Sequence, residues 1–235
     1  MCAQQARPRA EAWERRLYLP AYRYAEAARL VETAPQTIRR WYHGAATREH
    51  GPRPVLPTRQ ASLLSYMQVI DVAFVADFRR LGVRLNTLRQ AHAYLCKTFR
   101  VEYPFSQLDV MTEGVAALAE YAAHAGGRAL QRLIAADCGE RLTWPEAIQE
   151  RFDQFDYERR LAVRWHPRGR DNPVLVDPSI AFGAPIIGQA GVATWAIRER
   201  FVAGEDIPEI EEDFGVTPEQ IAAALAFEGI ELHAA

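Results

Sequence analysis

An apolar rhythm in the stretch 61–81 restricts this fold most. Leu64, Met67, Ile70, Phe74, Phe78 and Leu81 succeed one another at steps of three and four. A helix returns to the same face about every 3.6 residues, so this spacing predicts an amphipathic helix with one buried stripe. Gly82 is a good stop for it. Asn86 can cap a further helix to about Phe99, with Leu88, Ala91, Leu95 and Phe99 on its inner face.

Shorter helices flank these two. Glu11–Arg16 reads as a short helix and Leu17–Tyr22 as an extended entry. Tyr24–Leu30 reads as a helix. Thr33 fits an N-cap, with Pro35 in the first turn and Gln36 at the capping-box position. The helix that follows runs to about Tyr42. Its Ile38 and Trp41 lie three apart and share a face. Gln36, Thr37, Arg39 and Arg40 lie mostly off that face. The pattern is helix, tight turn, and second helix with polar and basic groups available. Gly44–Pro57 contains Gly51, Pro52, Pro54 and Pro57, so it cannot be regular helix; a basic hairpin or wing is expected.

Beyond Pro104 the expectation is mixed. Leu108–Met111 and Val115–Tyr121 read as strands flanking a turn at Gly114, with helix as the rival for Val115–His124. Trp144–Phe155 has helical spacing, and Arg160–His166 alternates like a strand. Pro167–Pro173 reads as a linker. After it, Val174–Val176 and Pro185–Ile187 are short strands, and Val192–Ala203 is a helix. Ile207–Phe214, Gly215 and a helix capped by Thr217, Pro218 and Gln220 form a second helix-turn-helix unit. The fold class is therefore mainly α with a minor β component. Its parts are an N-terminal winged helix-turn-helix, a mixed middle region and a small C-terminal helix-turn-helix-like domain. The boundaries fall at 17–105, 106–166 and 167–235.

Composition narrows the function. The 49% hydrophobic and 25% charged content is that of an ordinary soluble protein. No apolar run approaches the roughly 20 residues that cross a bilayer, and the start lacks the apolar core of a signal peptide. The expectation is a cytoplasmic protein without a membrane partner. Cys2, Cys96 and Cys138 are widely separated, and the six histidines are scattered, so neither a disulfide framework nor a metal site is supported. No nucleophile elbow, phosphate loop or dinucleotide fingerprint is present, so neither enzyme chemistry nor a cofactor is expected. Asp153 and Asp156 share helical spacing but read as a solvated face.

The net charge of −2 conceals an uneven distribution. Residues 1–59 hold 11 arginines against 5 acids, and residues 167–235 hold 4 arginines against 12 acids. A basic end suits phosphates and an acidic end does not, which points to two different partners.

Two stretches resemble known families. Tyr24-Ala25-Glu26-Ala27-Ala28-Arg29-Leu30 followed by Pro35-Gln36-Thr37-Ile38-Arg39-Arg40-Trp41 resembles the MerR-type winged helix-turn-helix. Phe78–Val83 and Leu88-Arg89 resemble the helices that follow its wing, so the likeness covers about 22–105. Val176-Asp177-Pro178-Ser179-Ile180-Ala181-Phe182-Gly183-Ala184-Pro185-Ile186-Ile187 resembles the opening of a small bacterial domain of unknown function, number 433. Phe201–Glu205, Asp213–Thr217 and Ile221–Leu225 continue that pattern. Chains combining both parts resemble VapB-type antitoxins, whose partners are VapC-like, PIN-type ribonuclease toxins. The resemblance implies toxin neutralisation, operator binding and repression of the protein's own operon. MerR proteins commonly dimerise through a long coiled coil. Asn86–Phe99 is too short for one, so a homodimer must use another surface.

In a helix-turn-helix the second helix enters the major groove. Gln36, Thr37 and Arg40 are the candidates for base or phosphate contact, with Arg39 and His43 behind them. Arg48, Arg53 and Arg59 would meet flanking phosphates. The second unit is crowded with acids, so Glu209, Glu212 and Asp213 are candidates for a protein partner rather than DNA. The alternative is a MerR-like, ligand-responsive regulator without a toxin, its pocket formed in 105–166 around Trp144 and Trp165.

Overall fold

The computed structural model describes residues 11–43, 56, 62–125, 134–136 and 142–231. Its N-terminal elements are α1 (Ala12–Leu17), β1 (Pro20–Tyr22), α2 (Tyr24–Leu30) and α3 (Pro35–His43). β2 (Leu64–Ser65) pairs antiparallel with β1 and leads into α4 (Tyr66–Arg80), α5 (Leu85–Phe99) and α6 (Leu108–Ala125). Next come β3 (Ala135–Ala136), β4 (Leu142–Thr143) and α7 (Glu146–Asp153). The strands β5 (Phe155–Glu158), β6 (Leu161–Trp165), β7 (Val174–Val176), β8 (Pro185–Ile187) and β9 (Val192–Ala193) follow. The last elements are α8 (Thr194–Val202), α9 (Ile207–Phe214) and α10 (Pro218–Phe227). The fold is mainly helical, with β5–β9 forming a small antiparallel sheet in chain order.

The stretch 61–81 supplies the central helix, but not an amphipathic one. Residues 66–78 are all buried, and only Arg79 and Arg80 at the end of α4 are exposed. Leu81, expected on the inner face, is 46% exposed. The helix starts later than its apolar pattern because Leu64 and Ser65 pair with β1. Ser65 then caps it reciprocally: its hydroxyl accepts from the Gln68 N–H, and the Gln68 side chain accepts from the Ser65 N–H at 2.8 Å. Two acids on this buried helix are partnered. Asp77 holds Arg151 at 2.6 Å and Arg80 at 2.6 Å, and Asp71 holds His92 at 2.8 Å. Unpaired, such charges would be strongly destabilising inside a core.

The strands expected at 108–111 and 115–121 are absent. One helix, α6, spans both, and Gly114 lies inside it rather than in a turn. Val110, Gly114, Leu118 and Ala122 form a buried stripe at intervals of four. Gly114 is the point of closest approach to Trp144, since a Cβ there would lie 2.8 Å from the indole Cζ2. The indole N–H donates to the Met111 carbonyl at 2.9 Å.

Trp144 also packs against Phe78 and Phe152, while Trp165 stacks on Phe155. Both tryptophans are buried in the core, whereas the alternative reading places them around a ligand pocket in 105–166. α7 is shorter than its spacing suggested, and Phe155 belongs to β5. The expected linker 167–173 is a turn within the sheet. Arg170 folds back onto the carbonyls of Asp153 and Phe155, both at 2.7 Å, and Trp165 pairs with Val176 across it.

The C-terminal helices follow their sequence signals closely. Asp206 and Glu209 cap α9, Gly215 ends it with φ +62, and Thr217 and Gln220 cap α10. Val174, Ile187, Ile197, Ile210, Val216, Ile221, Ala224 and Leu225 make a core of their own, distinct from the one around α4.

Candidate nucleic-acid interface

The turn between α2 and α3 sets the direction of α3. Thr33 does not cap α3. Its hydroxyl donates to the Val31 carbonyl, and the first free N–H groups, of Thr37 and Ile38, reach the Ala34 carbonyl. Glu32 adopts a left-handed conformation in the turn, and Arg80 donates to the carbonyls of Val31 and Glu32 at 2.7 and 3.1 Å. Arg168 pairs with the Glu32 carboxylate.

α3 buries Ile38, Trp41 and Tyr42 against the core, and the Tyr42 hydroxyl donates to the Gln68 carbonyl. That anchoring turns Gln36, Arg39, Arg40 and His43 outward, all exposed, with Thr37 half-buried. The five expected groups on this helix therefore share one side. Arg39 lies over the Tyr24 ring, 5.8 Å from its centroid, and the Tyr24 hydroxyl sits 3.1 Å from His43 Nε2. Burial raises the Tyr24 phenol, and Arg39 opposes the shift. Tyr24 thus steadies two of the candidate groups from α2. Arg48, Arg53 and Arg59 lie outside the described residues.

Another basic residue, on α2, faces elsewhere. Arg29 pairs with Glu228 at the end of α10, and the other carboxylate oxygen of Glu228 accepts from the Thr194 hydroxyl at 2.6 Å. Arg168 lies over the Phe227 ring. The N-terminal unit is docked onto the C-terminal one through α2 and the turn, while α3 faces away from these contacts.

The C-terminal acids are less available than their number suggested. Glu209 accepts from the Asp206 N–H as part of the α9 cap. Asp213 pairs with Arg200 at 2.6 Å, and Arg200 also holds Glu205. Glu212 is exposed. The Arg200 pairs could not be read from sequence, because they depend on the angle between α8 and α9. Among the described residues no cluster of three or more His, Cys, Asp or Glu could hold a metal ion. No described helix is long and apolar enough to cross a membrane.

The chain is similar to known proteins along most of its length. Residues 174–227 match a family described as protein of unknown function (DUF433). A Mycobacterium tuberculosis protein named "Putative antitoxin VapB45" is 25% identical over 229 residues, covering 90% of this chain and 95% of the relative. The X-ray crystal structure of Rv2018 from Mycobacterium tuberculosis superimposes with a TM-score of 0.74 at 24% identity, covering 88% of this chain and 98% of that one. The chain thus shares its fold over most of its length with a solved protein, and its C-terminal segment matches a family of unknown function.

Proposed function

We propose that this protein is an antitoxin-like DNA-binding regulator of a toxin–antitoxin operon. The observation that carries the reading is its similarity, over nearly the full length of both chains, to a protein named as an antitoxin. The exposed basic side of α3 supports the DNA-binding half of the reading. In this scheme residues 17–105 are a MerR-like winged helix-turn-helix, 106–166 connect, and 167–235 form the antitoxin-type domain. α3 enters the major groove with Gln36, Thr37 and Arg40 foremost and Arg39 and His43 behind. Arg48, Arg53 and Arg59 meet flanking phosphates. A homodimer presents two such helices to half-sites about one turn of DNA apart. The C-terminal unit holds a VapC-like, PIN-type ribonuclease, with Glu212 the most available of the acids proposed to meet a basic toxin surface. The protein acts in the cytoplasm, represses its own operon and has no catalytic role.

The test is the Arg39→Ala, Arg40→Ala double variant, titrated against its own promoter DNA over a series of salt concentrations. Both side chains are exposed, so the fold should persist. Two lost phosphate contacts should flatten the log–log salt dependence by about two units and weaken binding by at least tenfold. Wild-type binding by this variant would sink the assignment of α3. The toxin half is tested separately, by coexpression with the product of the adjacent reading frame, scored by growth rescue and copurification.

A further inference from the structure

Away from α3, a cysteine, a histidine and an aspartate line up inside the core. Cys96 and His92 lie one turn apart on α5, which puts them on the same face. Cys96 Sγ is 3.5 Å from His92 Nδ1, and His92 Nε2 is 2.8 Å from Asp71 Oδ2 on α4. The other Asp71 oxygen accepts from the Phe105 N–H at 3.3 Å, which fixes the carboxylate. His92 and Asp71 are buried, whereas Cys96 is only partly covered.

We infer that Cys96 is an activated thiol that forms mixed disulfides with low-molecular-weight disulfides. A protonated imidazole has two N–H donors. One is committed to Asp71, and the other is directed at Cys96 Sγ, where it stabilises a thiolate. Burial pushes the His92 imidazole down, but the Asp71 carboxylate pushes it further up, to about 10, so it is cationic at neutral pH. Burial raises the Asp71 carboxyl, and His92 pulls it back.

The Glu102 carbonyl is 3.5 Å from Sγ and favours the neutral S–H form. The Glu102 carboxylate, which accepts from the Tyr103 hydroxyl, adds repulsion from the same segment. Lys97 and Arg100 stand near Cys96 in sequence at the end of α5, and both are exposed. Tyr42 of α3 lies near Asp71, and its hydroxyl is committed to the Gln68 carbonyl. A hydrogen bond from a charged donor is roughly twice as strong as a neutral one, so the imidazolium outweighs the carbonyl.

The step balances as follows. The thiol loses its proton to water, and the thiolate attacks one sulfur of the small disulfide. The S–S bond breaks as the Sγ–S bond forms. The displaced thiolate leaves with the electron pair and takes a proton from water. Cys96 is oxidised, and half of the disulfide is reduced to thiol.

The experiment measures iodoacetamide alkylation of the full chain against pH, with Cys2, Cys96 and Cys138 followed on separate peptides by mass spectrometry. At neutral pH the Cys96 peptide should be alkylated at least about tenfold faster than free cysteine. Glutathione disulfide at neutral pH should add one glutathione to the Cys96 peptide. His92→Gln should slow labelling at neutral pH about tenfold. Asp71→Asn, which leaves the Cys–His contact in place, should also slow it. Wild-type Cys96 labelling no faster than that of free cysteine overturns the inference without reference to any variant. Fast labelling that neither folded variant slows overturns the role given to His92.

Discussion

Gly183 sits where the C-terminal region meets β1, the strand that precedes α2, and replacing it should expose how tightly they are joined. Its φ is +80, and an added Cβ would lie 2.2 Å from the Tyr22 hydroxyl oxygen and 3.0 Å from the Tyr22 Cζ. Gly183→Ala therefore has two costs. The left-handed backbone costs an alanine about 1 kcal/mol. The collision costs about 1–3 kcal/mol, because Tyr22 is buried and its ring cannot swing away freely. The sum is a loss of about 2–4 kcal/mol. Tyr22→Phe removes the colliding oxygen. That oxygen is buried and meets no hydrogen-bonding partner among the described residues, so its loss alone should change stability by less than about 0.5 kcal/mol. Combining the two should recover the collision but not the backbone strain. Urea unfolding of the wild type, both single variants and the double variant closes a thermodynamic cycle. The expected coupling is about 1–2 kcal/mol in favour of the double variant. Additivity to within about 0.5 kcal/mol would refute the contact, and a neutral Gly183→Ala would refute the whole account.

Two further outcomes follow from the core. Gly114→Ala sets a helix-propensity gain of about 1 kcal/mol against overpacking of about 1–3 kcal/mol, because the new Cβ meets Trp144 at 2.8 Å. The net result should be a lower melting temperature, and a rise would show that Trp144 can yield. His92 is raised in the folded state, so its stabilising contribution is complete below the unfolded value of 6.5 and is lost as pH rises through about 10. The urea stability difference between wild type and His92→Gln should therefore shrink across that window, by at most about 1.4 kcal/mol per pH unit. A difference that stays constant over the window would mean the pair does not carry the charge.

What was legible in the sequence was local. The cap at Thr217 and the stop at Gly215 act within a few residues, and α9 and α10 follow them. The sidedness of α3 was also readable, because Ile38 and Trp41 fix which face is inward. The rest depended on distant partners. Gly114 reads as a turn until Trp144, thirty residues on, is seen to need the space. The apolar stripe of α4 was visible, but Val69, Val72 and Val75 lie off that stripe and are buried as well, because α4 is covered on every side. Thr33 carried a capping signal, yet the chain turns one residue later and leaves it bonded to Val31. Cys96 was readable only as an isolated cysteine, since Asp71 reaches His92 across two helices.

The charge imbalance takes on a different meaning once the ion pairs are placed. The basic excess of the first 59 residues is not uniformly offered to a partner. Arg29 is committed to Glu228, and the turn beside it is held by Arg80 and Arg168. These are contacts of α2 and the turn, the elements that in a helix-turn-helix position the second helix without reading sequence themselves. On α3, by contrast, Arg39 lies over a neighbouring ring of the same unit, and Gln36, Arg40 and His43 are exposed. The same sorting occurs at the acidic end. Asp213 and Glu205 neutralise Arg200, and Glu209 closes a cap, so the negative surface of α9 is partly consumed in holding α9 to α8. Each end of the chain thus spends part of its surplus charge on its own fold. Among the described residues, Arg39, Arg40 and His43 share one exposed side of α3, which is the geometry that the proposed contact with a single DNA groove requires.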